Sequence, residues 1–253
     1  MNTSLEKEMQ RHTYAIMNRV EDSHWWYVGR RAILESFLQQ IIQNPKSKIQ
    51  NPKILDVGCG TGGNLEMLEK FGAAEGVDVS DEALEFCRVK GLTAHKGLAE
   101  SLPFADESFD IVTALDVVEH LDDDVAGLKE MRRVLKQGGK TLIFVPAFMW
   151  LWGVQDEVSN HRIRYTKKQI IERLQKSGFE IERATYANIT FFAPILAGRF
   201  LMKITGIKPE SENNLNVSAL SGVFGKLFGA EKFWLKNFNF PFGVSIVIAA
   251  RKV

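Results

Sequence analysis

The stretch ILDVGCGTGG, residues 54–63, satisfies two glycine patterns at once. Gly58, Gly60 and Gly63 fit GxGxxG, the spacing of a dinucleotide-binding turn, while Asp56, Gly58, Gly60 and Gly62 fit DxGxGxG, the loop of a different adenosine cofactor. In both patterns an apolar strand runs into glycines that open a helix, so backbone can approach a ligand and helical N–H groups point at it. Asp78 ends the next apolar run and can accept hydrogen bonds from the two hydroxyls of a ribose.

Outward from this stretch, short apolar runs alternate with amphipathic segments, the signature of a parallel sheet with helices on both faces. KILDVG, AAEGVDV, LTAHK, FDIVTALD and KTLIFVPA read as strands, and 62–71, 81–89, 124–136 and 166–177 as helices. Ser80 and Asp81 form a cap signal for the helix at 81–89, and the acids Asp122–Asp124 suit the positive N-terminus of the helix at 124–136. Beyond Gly178, FEIERATYAN and FGVSIVIAARK are strand candidates separated by two apolar helix candidates, a return long enough to lay the last strand antiparallel in an otherwise parallel sheet. Residues 3–22 and 24–43 read as helices of an N-terminal appendage, followed by a Pro45–Pro52 connector, and 206–218 as a surface loop. The chain is thus read as a single α/β domain over 1–253, with a helical cap over 1–50, a cofactor-binding core over 51–147 and an acceptor-side half over 148–253 that contains an apolar insert at 189–242.

Lysine plus arginine number 32 against 31 acids, so no charge excess points to nucleic acid or to an anionic membrane surface. Cys59 and Cys87 are too few for a disulfide framework or a zinc site, so no metal is expected and the composition fits a reducing cytoplasm. The first 23 residues lack the apolar run of a signal peptide. The uncharged stretches 184–198 and 237–250 fall short of the roughly 20 residues that a spanning helix needs. Buried core, or shallow contact with a bilayer or an apolar substrate, accounts for them.

Asp56 discriminates between the two glycine patterns. It places a carboxylate two residues before the first glycine, where a pyrophosphate would be repelled and the ammonium of a methionine moiety would not. S-adenosylmethionine is therefore the cofactor favoured over a dinucleotide. ILDVGCGTGGNL, GVDVS, LPFADESFDIVTALDVVEHLDD and EMRRVLKQGGKTLIFVP, in that order, resemble successive motifs of the class I S-adenosylmethionine-dependent methyltransferases, in particular the type 11 group that includes quinone-biosynthesis methyltransferases. The resemblance covers about 51–147. It implies a doubly wound, Rossmann-like sheet of seven strands with the last antiparallel. It also places Asp56, Gly58, Gly60 and Gly62 around the methionine part, Asp78 on the ribose and Val79 against the adenine, with Cys59 as a small loop residue. Leu98 stands where an aspartate often reaches the adenine, so the backbone at Ala99, with Glu100, is assigned there instead; Leu115 and Asp116 face the methionine end.

Methyl transfer from a sulfonium is an in-line displacement, so the protein mainly aligns the acceptor and excludes water, adding a base where the acceptor must lose a proton. SHWWYVGRR, 23–31, and QDEVSNHRIRYTKKQ, 155–169, look like features of a bacterial subgroup of these enzymes. Trp25, Trp26 and Tyr27 are read as a lid or as core, and Arg30 or Arg31, with the assignment on Arg31, as the partner of the methionine carboxylate. His161 is the leading candidate for a base or acceptor-orienting group, with Tyr165 for a hydrogen bond and Arg162 or Arg164 for an anionic part of the substrate; bracing of the loop through Asp156 and Glu157 is the alternative. His120 either approaches the cofactor or acceptor or packs against the next helix. The expected activity is methylation, at oxygen or carbon, of a small or lipid-linked acceptor. The rivals are a methyltransferase-shaped binding protein without catalysis and an NAD(P)-dependent oxidoreductase.

Overall fold

A computed structural model of the chain describes residues 11–43, 49–206 and 218–253. Part of the first expected helix, half of the Pro45–Pro52 connector and nearly all of the 206–218 loop lie outside the described residues.

The apolar runs become seven strands: β1 Lys53–Val57, β2 Ala73–Asp78, β3 Ala94–Lys96, β4 Phe109–Leu115, β5 Leu135–Pro146, β6 Phe179–Ala187 and β7 Ser245–Lys252. Their order across the sheet is β3-β2-β1-β4-β5-β7-β6. All pairings are parallel except those of β7, which is inserted antiparallel between β5 and β6. The order reverses at β1 and β4, and in open α/β sheets that crevice, at the carboxyl ends of the strands, is where ligands bind.

Strand side chains alternate between faces, so one sheet feeds two cores. Leu55, Val57, Ile143, Val145, Ile246 and Ile248 enter one core, closed by α5 (Asp124–Val134) and α7 (Lys167–Lys176). Ile54, Leu142, Phe144 and Val247 enter the other, closed by α2 (Trp25–Ile42), α3 (Gly63–Leu68) and α9 (Ser218–Leu235). The N-terminal helices thus include a core element: Ile33, Leu34 and Leu38 of α2 are fully buried. α2 and α9 cross closely at Gly29, where a Cβ would lie 2.5 Å from the Phe228 ring. The remaining helices are α1 (Arg11–Val20), α4 (Asp81–Val89), α6 (Val154–Val158) and α8 (Phe192–Thr205). Among the described residues no helix is long and apolar enough to cross a membrane.

The caps refine the expected boundaries. Asp123 accepts from the Ala126 N–H at the start of α5, and Thr166 and Gln169 close a capping box on α7. Ser80 precedes α4, but its hydroxyl makes no capping bond; its backbone N–H is instead held by Asp78. The helix expected to run to 136 stops at Val134 because the chain there joins β5 beside Phe109.

Candidate active site

The glycine loop leaves β1 with Gly58, Gly60 and Gly62 all at positive φ, +68°, +53° and +92°, a backbone that L side chains rarely adopt. The N–H groups of Gly58 and Cys59 donate to the Val77 carbonyl, at 2.8 and 3.1 Å, which ties the loop to the end of β2. Asp78, at that end, accepts from Gly60 N–H and Ser80 N–H, both at 2.9 Å. Two backbone donors therefore fix the carboxylate that the sequence assigns to the ribose. From the other side, Glu21, just past α1, accepts from the Thr61 hydroxyl at 2.8 Å and from Lys90 at 2.6 Å, closing the N-terminal segment over the loop.

A cavity of about 540 Å³ opens at the carboxyl ends of β1, β2 and β4. Gly58, Cys59, Gly60, Asp78, Val79, Ala99, Glu100, Leu115 and Asp116 all line it, and so do His120 and His161. Gly62 instead starts α3, with its φ serving the turn, and Gly63 takes the lining place. Asp56 lies behind the loop, fully buried, one oxygen accepting from the Thr113 hydroxyl at 2.6 Å and the other without a hydrogen-bond partner. Burial pushes its pKa up to about 7 against the opposing pull of Thr113 and Arg30. An ammonium nearby would restore the carboxylate, consistent with a methionine moiety and not a pyrophosphate. Cys59 contacts Cys87 and is buried, both of which push its thiol up, so it is a neutral packing group.

Two assigned residues are placed elsewhere. Arg31 faces away from the cavity and donates to the Glu21 carbonyl and to Asp22, whereas Arg30, one residue earlier and about 100° round the helix, points inward. Arg30 forms an ion pair with Asp116, donates to Asn64 at 2.8 Å and lies over the Trp26 ring. Tyr165 is fully buried on the far side, its hydroxyl donating to Asp124 at 2.9 Å. The reason is local: Tyr165 bridges to Ala147 beside the end of β5, and in extended chain neighbouring side chains alternate, so Arg164 faces the cavity and Tyr165 the core.

Asp116 adopts φ +62° at the tip of β4 and presents its carboxylate beside the loop. Burial raises its pKa, and the Arg30 charge opposes this. Trp25, Trp26 and Tyr27 all line the cavity, with Trp25 against Phe191 and Phe228 and Trp26 against Phe144. The three aromatics therefore act as wall and core together.

On the side of the cavity away from the glycine loop, His161 Nδ1 lies 2.8 Å from Asp156 Oδ1, and Asp156 also accepts from Arg164 Nε at 2.7 Å and from Gly153 N–H at 2.8 Å. Burial alone would raise the Asp156 pKa, but the His161 hydrogen bond and Arg164 outweigh it and hold the carboxyl down at about 2. Asp156 thus stays ionised and keeps the proton on His161 Nδ1, so Nε2 is the nitrogen presented to the site. The bracing alternative is present in the structure: Asp156 holds both His161 and Arg164, and the brace orients the histidine towards the cavity. Burial and the neighbouring His161 push the His120 pKa down to about 3. Burial and Asp116 raise that of Glu119. Arg199 of α8 belongs to no motif, and Glu119, although inside the motif that follows β4, has no role assigned from the sequence; the fold pairs the first with Asp156 and sets the second beside His161.

Residues 55–143 match the family model described as a methyltransferase domain. The demethylmenaquinone methyltransferase of Chlorobaculum parvum is 43% identical over 101 residues, 38% of this chain and 42% of that protein. The chloroplastic 2-methyl-6-phytyl-1,4-hydroquinone methyltransferase 2 of Oryza sativa subsp. japonica is 28% identical over 62% of this chain and 48% of its own length. The chain therefore spans less than half of either relative. A Thermotoga maritima structure described as an S-adenosylmethionine-dependent methyltransferase, "possible histamine N-methyltransferase", superposes with a TM-score of 0.56 over 96% of this chain and 100% of its own, at 23% identity, which shows the shared fold. Residues 55–143 thus match a methyltransferase domain, and the positive-φ glycine loop, the pinned Asp78 and the β7 insertion belong to the fold that the chain shares with the S-adenosylmethionine-dependent methyltransferase structure.

Proposed function

We propose that the chain transfers a methyl group from S-adenosylmethionine to an oxygen or carbon of a small, aromatic or lipid-linked acceptor. The observation that carries this reading is one cavity shared by the glycine loop with Asp78 and by the Asp156–His161 pair. The cofactor, when bound, supplies an activated methyl on a good leaving group. The chain's own residues do the rest. Asp78 holds the ribose, Val79 and the backbone at Ala99 meet the adenine, and Leu115 and Asp116 border the methionine end. His161 Nε2 receives a proton from an acceptor hydroxyl or acidic carbon, and ionised Asp156 stabilises the resulting imidazolium. Trp25, Trp26 and Tyr27 keep water from the reacting centre.

An apolar acceptor is supported by α8. Pro194, Ile195 and Met202 line the cavity, while Leu196, Phe200, Leu201 and Ile204 on the same helix face outward. A helix apolar on both sides suits a site entered by a greasy molecule at a bilayer surface. The two relatives whose printed names specify quinone-type substrates support a prenylated hydroquinone as the first acceptor to try.

Calorimetric titration with S-adenosylmethionine, S-adenosylhomocysteine and NADH tests the cofactor. The first two should bind, NADH should not, and Asp78→Ala should weaken both by about 100-fold, the equivalent of about 3 kcal/mol. NADH binding alone would establish the oxidoreductase rival. Binding of none would favour the binding protein without catalysis.

A further inference from the structure

We propose that Glu119, His120 and His161 form a binding site for a divalent transition-metal cation on the acceptor side of the cavity. The composition-based expectation of no metal rested on the two cysteines; this site is built from two histidines and a glutamate that the fold brings together. Glu119 and His120 occupy the 3₁₀ turn Val118–His120 after β4, and His161 lies in the loop after α6. One ligand atom from each of the three lies within 4.8 Å of the others.

Glu119 is fully buried, and neither carboxylate oxygen has a hydrogen-bond partner. A carboxyl group buried without a partner carries a large desolvation cost, so this one calls for a missing counterpart. Facing it is His161 Nε2, 3.8 Å from Oε1. Because His161 Nδ1 is committed to Asp156, Nε2 is the lone-pair nitrogen. Two electron-pair donors thus confront each other across a gap that a cation would fill.

The outer shell is that of a metal site. The arrangement carboxylate–imidazole–ligand position, here Asp156–His161, fixes ring orientation and raises ligand basicity, and Arg164 fixes Asp156 in turn. The His120 ring packs edge-on against His161 at 4.7 Å between centroids. The two ligand loops are stitched together by Arg162, whose backbone N–H donates to the Glu119 carbonyl at 2.9 Å and whose Nε donates to the His120 carbonyl at 2.8 Å. Metal–ligand bonds of about 2.1 Å put ligand atoms about 3.0–3.5 Å apart, so side-chain movements of about 1 Å complete the site. Two imidazoles and one carboxylate favour zinc, iron, cobalt or manganese over calcium. Three protein ligands leave coordination positions open, the pattern of catalytic sites.

Resting on the proposed methyl transfer, this site narrows the acceptor to a hydroxyl compound such as a phenol or hydroquinone. An acceptor oxygen entering an open position gives up its proton to water, which takes the place of His161 as the base, because Nε2 then holds the cation. Its electron pair forms the new C–O bond as the C–S bond breaks and that pair stays on sulfur.

The test is titration of chelator-treated protein with Co²⁺, read by visible d–d absorption and by bound metal per chain after gel filtration. One Co²⁺ per chain is expected, with the spectrum lost in Glu119→Gln and in His161→Ala. Asp156→Asn should weaken binding by about 10–100-fold. Asp78→Ala should lose the cofactor and retain the Co²⁺ spectrum, which separates failure of this site from failure of the methyltransferase reading. Adenosylhomocysteine titration verifies that each metal-site variant is folded. No Co²⁺ spectrum, or one unchanged in a folded Glu119→Gln protein, overturns the proposal and leaves a proton on Glu119 as the bridging group.

Discussion

The two sides of the cavity are built by different means. On the cofactor side, glycine φ angles and backbone hydrogen bonds between the ends of β1 and β2 set the geometry, and Asp78 is held by two main-chain N–H groups. On the side of His161, charged and polar side chains from α6, the loop after it and α8 hold one another through Asp156–His161, Asp156–Arg164 and Asp156–Arg199, and between the two sides Arg30 of α2 pairs with Asp116. A backbone-built site tolerates change in most side chains around it. One built from paired buried charges does not, because removing one partner leaves the other uncompensated.

The largest effect should come from the acceptor side. His161→Ala is expected to reduce turnover by about 10³-fold while the Kd for S-adenosylhomocysteine changes less than about twofold; equal losses in both would dissolve the division between the two sides. Arg30→Ala should cost about 2 kcal/mol in chemical denaturation, because Asp116, largely withdrawn from solvent, would lose its paired charge, whereas its neighbour Arg31→Ala should cost about 1 kcal/mol or less. Similar values for the two would mean that the inward ion pair contributes little.

Asp56 gives a pH signature on the cofactor side. Its folded-state pKa of about 7 lies above the ordinary carboxylate value, so the folded chain binds a proton that the unfolded chain releases. Stability from this group is therefore highest at low pH and declines as pH rises from about 4 to about 7. Asp56→Asn should remove that decline, gaining on the order of 2 kcal/mol at neutral pH, while weakening cofactor binding. Asp156 has the opposite sign in a separate window: its pKa of about 2 contributes stability that is present above about 4 and is lost as pH falls towards 2. The smallest effect on folding should be that of Phe200→Glu, on exposed α8, within about 0.5 kcal/mol. The same change should reduce sedimentation with phospholipid vesicles; unchanged sedimentation would remove the bilayer from the acceptor reading.

Much of the cofactor side was legible because its rules are local. Strand, glycine turn, helix and the acid at the end of β2 follow one another at fixed spacing, and Gly58, Gly60 and Asp78 line the cavity, while Asp56 lies behind the loop and Gly62 serves the turn into α3. Asp56 was legible as a charge, but not as a buried group with a raised pKa, since that depends on Thr113 in the neighbouring strand. The choice between Arg30 and Arg31 was a question of helix phase, which adjacent residues of the same type cannot reveal. Tyr165 and Arg164 were exchanged for a similar reason: a one-residue step in extended chain reverses the face.

The sequence by itself determined an α/β sheet with a late antiparallel strand, an adenosylmethionine loop and a histidine-bearing segment after β5, because periodicity, glycine conformation and motif spacing act over a few residues. Only the tertiary structure decided that α2 is part of the core, that Arg30 pairs with Asp116, and that Glu119, His120 and His161 meet. Those contacts join residues far apart in the chain, such as Arg30 with Asp116 and Trp25 with Ser221, 86 and 196 positions apart, and each depends on where separate elements end relative to one shared sheet.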